Sequence, residues 1–227
     1  MTIAIMSAIP GELSLLRQRL RGEVLLVESG IGKVNAAAVT AKVILEHQPD
    51  TILFTGVAGC IDPSLSIGDV VIGERTIQWD AGVAGRAGFD VYQAGHIPFF
   101  NPTDELGFQP SSELLAAANE VAGSLTLESV LGRVPEVTEG TILTGDQFID
   151  DPAVRDRLHA GFGAQAVEME GAAVAQVAAE AGVDCLVIRA LSDLAGGDAD
   201  IDFTSYFPAV AANSARLVGR IHDSILA

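Results

Sequence analysis

The stretch Cys185-Leu186-Val187-Ile188-Arg189-Ala190-Leu191-Ser192-Asp193 decides the architecture. Its apolar residues run on without alternating with polar ones, so as a strand it is buried on both faces. Such strands belong to sheets that helices cover on either side. Two residues interrupt the run. Arg189 lies inside it, where an unpaired guanidinium is very costly, and therefore requires a carboxylate partner. Glu12, Glu168 and Glu170 are the candidates. Asp193 ends the run at a strand's carboxyl end, where ligands sit in open α/β sheets.

The same grammar extends to both sides. Thr2 to Ala8 reads as a first strand, and Pro10 opens a helix with Leu13, Leu15, Leu16 and Leu20 on its apolar side. Val24 to Val27 is a second strand, and Ser29-Gly30-Ile31-Gly32 turns into an Ala-rich helix from Asn35 to His47. Thr51 to Thr55 is a third strand, followed by Gly56-Val57-Ala58-Gly59. Asp69 to Trp79 is a longer strand with Gly73 as a bulge position. Ala81 to Pro110, punctuated by Gly82, Gly85, Gly88, Gly95 and Pro98, reads as a long loop of the functional or interface kind. Ser111 to Ala122 is a helix, Thr141 to Leu143 a strand, and Asp151-Pro152 opens a short helix. Ala164 to Val167 is a strand feeding the helix Gly171 to Ala181, and a closing helix runs from Tyr206. Strands and helices alternate throughout, which gives an α/β class with a mostly parallel sheet. With no internal repeat, low-complexity tract or linker, residues 1–227 read as one domain.

Composition narrows the function. Of 227 residues, 49% are hydrophobic and 19% charged, which excludes a disordered chain. Thirteen basic against thirty acidic side chains leave a net charge of −17, so phosphates of nucleic acid or of an anionic membrane would be repelled before contact. Two cysteines, Cys60 and Cys185, make neither a disulfide framework nor a four-ligand zinc site, and a reduced, cytoplasmic setting follows. The apolar start from Ile3 to Ile9 is short and lacks a basic flank, and no run approaches the roughly 20 apolar residues of a spanning helix.

Gly30-Ile31-Gly32-Lys33-Val34 is not a phosphate loop, because Val27 and Val34 stand where a glycine and a magnesium-holding hydroxyl belong. Nor is it a dinucleotide fingerprint, since Asn35 replaces the third glycine. His47, His96, His159 and His222 never fall at metal-ligand spacing, and no Gly-x-Ser-x-Gly elbow is present. What remains are three carboxylates at strand ends: Glu12, Glu170 and Asp193. Each alone has an ordinary explanation as a helix N-cap or first-turn residue. Together they place three acids where an α/β site forms, and Arg189 then either makes a structural ion pair or positions a carboxylate and a water.

Five motifs stand in a family's order and spacing: Ser29-Gly30-Ile31-Gly32-Lys33-Val34, Thr55-Gly56-Val57-Ala58-Gly59, Gly145-Asp146-Gln147-Phe148, Val167-Glu168-Met169-Glu170 and Arg189-Ala190-Leu191-Ser192-Asp193. On these, over nearly the whole chain, the sequence resembles the 5′-methylthioadenosine/S-adenosylhomocysteine nucleosidases of the purine nucleoside phosphorylase superfamily. The resemblance implies a single-domain three-layer sandwich around a central mixed, mostly parallel sheet. It implies hydrolysis of the N-glycosidic bond of adenosine thioethers, with 5′-deoxyadenosine and aminodeoxyfutalosine as further candidates, and a place in methionine salvage. By resemblance Glu12 activates a water, Glu170 holds the ribose hydroxyls beside Met169, and Asp193, supported by Ser192, protonates adenine. Phe148 and Ile149 contact the base, the Phe148 ring by stacking and the backbone by hydrogen bonds. Ala8, Ile31, Val57, Ala58, Gly59 and Phe203 line the pocket, with Glu168 and Arg189 among the binding residues. No metal or organic cofactor is implied. A homodimer is, with Val83 and Pro98 completing the alkylthio end of a neighbouring subunit's pocket.

The sequence departs from the family at named positions. Arg19 to Gly22 is too short for the strand pair that members usually carry there. Val57 replaces a common serine, Cys60 a common glycine, and Arg86 an aromatic at the alkylthio mouth. A charged mouth suits a polar 5′ substituent. Two other functions are consistent with the same residues, a phosphorolytic purine nucleoside phosphorylase and a non-catalytic nucleoside-binding protein. Phosphate needs cationic partners, yet no Lys or Arg precedes Arg17. Keeping both a base and an acid is more than a binder needs.

Overall fold

A computed structural model describes residues 1–20, 24–86 and 88–227, with the Ile201 side chain left aside. The elements run β1 (Ile3–Ser7), α1 (Pro10–Arg19), β2 (Leu25–Glu28), α2 (Lys33–His47), β3 (Thr51–Cys60), β4 (Val70–Gln78), β5 (Gly82–Gly85), β6 (Gly88–Val91), α3 (Ser112–Ser124), β7 (Val137–Thr144), α4 (Pro152–Phe162), β8 (Ala166–Glu168), α5 (Gly171–Glu180), β9 (Asp184–Asp193) and α6 (Ala199–Leu226). The connection expected in place of a strand pair falls, at Arg21 and Gly22, outside the described residues.

Strands β1, β3 and β9 divide their side chains between two faces. Ile3, Ile5, Leu53, Leu186 and Ile188 join one core, under α1, α3 and α6. Ala4, Met6, Ile52, Phe54, Cys185 and Val187 join the other, under α2 and α5. This double burial is why the strands read as unbroken apolar runs, and it makes the three layers. A smaller cluster of Ile61, Ile77, Leu143, Leu158 and Val167 lies beneath α4. Pro10 and Pro152 start α1 and α4 as expected, and the Asp151 side chain caps α4 through Val154 N at 2.9 Å. Among the described residues no helix is long and apolar enough to cross a membrane.

The sheet is mixed and mostly parallel, as the sequence implies. β1 lies parallel to β2 and β3, and β3 is parallel to β9. β9 is antiparallel to β4, β4 parallel to β7, and β7 parallel to β8. β8 then returns antiparallel to the end of β3 at Gly59 and Cys60. The last five of these strands close on themselves, and β1 and β2 extend the sheet from the outside of β3.

Four places differ from the sequence reading, one of them β7, which begins at Val137 instead of Thr141. β3 continues through Gly56-Val57-Ala58-Gly59 to Cys60, because those glycines serve close approach inside a strand and not a turn after it. The Ala81–Pro110 stretch contains the hairpin of β5 and β6, whose Gly82 packs so tightly on the Asp90 backbone that no Cβ fits. α6 begins at Ala199, ahead of Tyr206, with Asp200 and Asp202 in its first turn and Pro208 inside it. Acidic first-turn residues favour that earlier start.

Candidate active site

The carboxyl ends of β1, β3, β8 and β9 surround a cavity of about 390 Å³. Glu12 reaches it from the first turn of α1, directly after β1. Glu12 is 4% exposed, and its carboxylate accepts hydrogen bonds from Val57 N at 3.0 Å and from the Ser7 hydroxyl. Burial pushes its pKa up, against the Ser7 hydrogen bond, the Arg189 charge and the Val57 amide.

Arg189 finds the partner its position demands. Its Nε donates to Glu168 Oε2 at 3.0 Å, a second guanidinium nitrogen binds the same carboxylate, and Glu170 Oε2 lies 3.7 Å away. The guanidinium also stacks over Phe54, 4.5 Å from the ring centre. Glu168 accepts further bonds from the Gly171 amide at 2.7 Å and from the Thr144 hydroxyl. The Glu168 carboxylate is therefore fully engaged inside the protein and neutralises a cation that burial alone would not tolerate. Gly56 is what lets this happen: a Cβ there would strike the Arg189 guanidinium and come within 3.1 Å of Glu12 Oε1.

Glu170 is the N-cap residue of α5, yet its side chain makes no capping bond. It turns into the cavity and accepts from Gly32 N at 2.8 Å. Its pKa is pushed up to about 7, first by burial and then by the Glu168 charge, with Arg189 and the Gly32 amide opposing. Asp193, 2% exposed, accepts from Ala195 N at 2.9 Å through Oδ1. The Ser192 hydroxyl lies 2.8 Å from Asp193 Oδ2 and 3.3 Å from the Ala58 carbonyl, so it can donate to either. Burial raises the Asp193 pKa, which favours the protonated form that an acid catalyst requires. Three acids with raised pKa, Glu12, Asp193 and Glu170, the last beside the Arg189 guanidinium, can accept a proton, deliver a proton and stabilise positive charge in one enclosure.

The structure brings Glu12, Glu170, Asp193, Ala8, Ile31, Val57, Ala58, Gly59, Phe148, Glu168, Met169, Arg189, Ser192 and Phe203 to this cavity. The Ile149 side chain packs in the cluster beneath α4, which leaves only its backbone for the base contact expected of it. Val83 on β5 and the exposed Pro98 lie outside the cavity of their own chain. Sequence reading passes over Ile9, Gly56, Val167, Asp200 and Thr204, which also line it. Gly56 and Val167 stand inside quoted motifs with no role assigned to them, and Ile9 follows the pocket residue Ala8. Asp200 and Thr204 enter through the early start of α6, whose signal was the pair of acids at its head.

Comparison with known proteins agrees. The profile of the phosphorylase superfamily matches residues 5–227. A Mycobacterium bovis protein named 5′-methylthioadenosine/S-adenosylhomocysteine nucleosidase is 40% identical, over 97% of this chain and 96% of that one. The crystal structure of the Neisseria meningitidis nucleosidase of that name, in complex with methylthio-immucillin-A, superposes with a TM-score of 0.83 at 34% identity, covering 98% of this chain and 99% of that one. A futalosine hydrolase mutant from Helicobacter pylori gives a TM-score of 0.83 at 28% identity, covering 98% of each chain. The chain belongs to the phosphorylase superfamily and, within it, to the 5′-methylthioadenosine/S-adenosylhomocysteine nucleosidase family.

Proposed function

We propose that this protein hydrolyses the N-glycosidic bond of 5′-methylthioadenosine and S-adenosylhomocysteine and releases adenine. The observation that carries the reading is the meeting of Glu12, Glu170 and Asp193, from three distant parts of the chain, on one cavity whose cation is already paired with Glu168. The bond between the anomeric carbon and the purine nitrogen breaks through a cation-like sugar. Asp193 gives its proton to N7, so adenine leaves neutral. Glu12 takes a proton from a water as its oxygen bonds to the anomeric carbon, and solvent returns that proton to Asp193. Ionised Glu170 accepts from the ribose hydroxyls and stabilises the developing positive charge, an electrostatic contribution that grows in a water-poor site. Ser192 donates to Asp193 once the carboxylate has lost its proton.

Water is favoured over phosphate as the nucleophile for an electrostatic reason. The guanidinium of Arg189 is held by carboxylates, and Glu12 would repel a phosphate. Adenine release from methylthioadenosine in phosphate-free buffer tests this. Hydrolysis gives product there, a phosphorylase gives product only on adding phosphate, and a mere binder gives none. Glu12→Gln is expected to keep nucleoside binding, measured by calorimetry, and to lower kcat by about 10²–10⁴-fold. Unchanged kcat would remove Glu12 from the role of base.

The assembly belongs to the same proposal. Residues 1–227 act as one catalytic domain, and two copies pair so that Val83 and Pro98 of one complete the 5′ end of the other's pocket. Phe89, Phe99 and Phe100, exposed in the same stretch, support such pairing. Arg86, exposed on the β5–β6 turn, would then meet the 5′ substituent, and comparing hydrolysis of methylthioadenosine, adenosylhomocysteine and aminodeoxyfutalosine by wild type and Arg86→Phe reads its preference. A cytoplasmic setting is in keeping with the two free, buried thiols Cys60 and Cys185.

A further inference from the structure

The turn Gly30-Ile31-Gly32-Lys33 is no phosphate loop, and its lysine has no part in the chemistry above. Lys33 is nevertheless tightly held for a lysine of this acidic chain. Its Nζ lies 2.7 Å from Asp80 Oδ1 and 3.7 Å from Asp146 Oδ2, with the lysine side chain only 18% exposed. Its backbone N–H donates to Asp146 Oδ1 at 3.1 Å, and Asp146 N–H donates to Asp80 Oδ2 at 3.0 Å. Asp80 follows β4, Asp146 follows β7, and Lys33 opens α2, so the three residues tie together the ends of three elements.

The tie sits next to the catalytic carboxylate. Gly32 N–H is the amide that holds Glu170, and the very next amide, that of Lys33, is the one held by Asp146. Gly30 and Gly32 both have positive φ, at 74° and 90°, and Gly32 caps α2 with no side chain to anchor it. A turn built from two such glycines has many backbone states. An external anchor must select the one that aims Gly32 N–H at Glu170. The same anchor fixes two cavity walls, because Ile31 stands two residues before Lys33 and Phe148 two after Asp146.

We propose that Lys33, Asp80 and Asp146 form a positioning cluster for the reaction: it locks the glycine turn so that Gly32 N–H holds the ribose-binding carboxylate and Ile31 and Phe148 keep their places at the mouth. The inference rests on the catalytic reading above for the role of Glu170. A side-chain tie that only stabilised the fold would lower the melting temperature and leave the ionisation of Glu170 alone. A positioning cluster has a further consequence. When the turn is freed, Glu170 loses an amide that favours its charged form, and its titration moves to higher pH.

The test follows the Glu170 carboxyl by 13C NMR in the free protein, assigned by difference with Glu170→Gln, alongside the pH profile of kcat/KM. Lys33→Met is expected to move the titration up by about half a unit or more, since one unit corresponds to 1.36 kcal/mol and the lost bond is charge-assisted. The acid limb of kcat/KM should move the same way, with activity at pH 7 down about twofold or more. Lys33→Arg should restore most of it. Lys42→Met, on the same helix in an exposed pair with Glu46 at 3.9 Å, should behave as wild type. An unmoved titration in Lys33→Met, or a loss of activity uniform across pH, overturns the proposal. Should Lys33→Met fail to fold, Asp146→Asn, at a half-exposed side chain, must give the same upward displacement, and its absence overturns the proposal equally. The carboxyl titration needs no substrate. A wild-type protein that cleaved no nucleoside would sink the catalytic reading and leave the titration to judge the cluster on its own.

Discussion

Glu170 is the residue on which the charge balance of the cavity turns. Burial, then the neighbouring Glu168 carboxylate, hold its pKa up to about 7, although Arg189 and an amide oppose them. In the unfolded chain the same carboxyl titrates near 4.5. Between those two values the folded protein keeps a proton that the unfolded chain releases. The unfolded state then binds fewer protons, so stability falls as pH rises through this window. The contribution is fully present below the unfolded value and is gone once the pH passes the folded one. Urea unfolding of wild type and Glu170→Gln between pH 4.5 and 7.5 checks this. The wild type is expected to lose on the order of 3 kcal/mol relative to the variant across that range. Parallel curves would show that Glu170 ionises as readily in the fold as in water. Substrate should flatten the wild-type slope, because ribose hydroxyls donating to Glu170 favour its charged form.

At the scale of elements, β3 does the most. It pairs with β1, β8 and β9, and it carries Gly56 past Arg189 and Gly59 past Asp193. A Cβ at Gly59 would sit 3.0 Å from Asp193 Oδ1 and 3.1 Å from Ala195 Cβ. Gly56→Ala is expected to force the guanidinium off its carboxylates, destabilising the protein by about 1–3 kcal/mol as overpacking does. It should also lower kcat/KM at least about tenfold through the displaced Glu12. A crystal structure of the variant with Arg189 and Glu12 unmoved would contradict that account. This element also shows how far the sequence could be read. The acids at the ends of β1, β8 and β9 were legible because charge at the close of an apolar run has few explanations. The need of Arg189 for a carboxylate was legible too, although only the structure shows Glu168 taking two guanidinium nitrogens while Glu170 stays 3.7 Å away. The length of β3 was not legible, because glycines that allow close packing and glycines that make turns look alike in a sequence. Which way the Ile149 side chain faces was not legible for a similar reason: an apolar residue beside a pocket residue carries no mark of its direction. Asp200 and Thr204 went unseen because Pro208 suits the first turn of a helix from Tyr206 as well as it suits the interior of a longer one.

For the whole molecule the question is how a chain of net charge −17 tolerates Phe99 and Phe100 at 85% and 81% exposure, with Phe89 nearby in sequence on β6. Single exposed apolar residues are ordinary, but three phenylalanines in one short stretch point to a surface that is covered. The stretch also holds Val83 and Pro98, which the cavity of their own chain does not use. Pairing two copies through it would remove apolar area from water at about 25 cal/mol per Å². Opposing this is repulsion between two strongly acidic bodies, which salt screens over about 8 Å at physiological ionic strength. Sedimentation at micromolar concentration is therefore expected to show a dimer in 150 mM salt that weakens as salt is withdrawn, the reverse of an association held by ion pairs. A Phe99→Asp, Phe100→Asp double variant should sediment as a monomer. Glu12, Glu170 and Asp193 all come from one chain, so the monomer is expected to keep the proposed acid and base and to bind adenine. It lacks the neighbour's Val83 and Pro98, so KM for methylthioadenosine should rise by more than about tenfold while adenine affinity changes little. A monomeric wild type with full activity toward the thioether would separate these residues from the pocket and leave the exposed phenylalanines to some other contact.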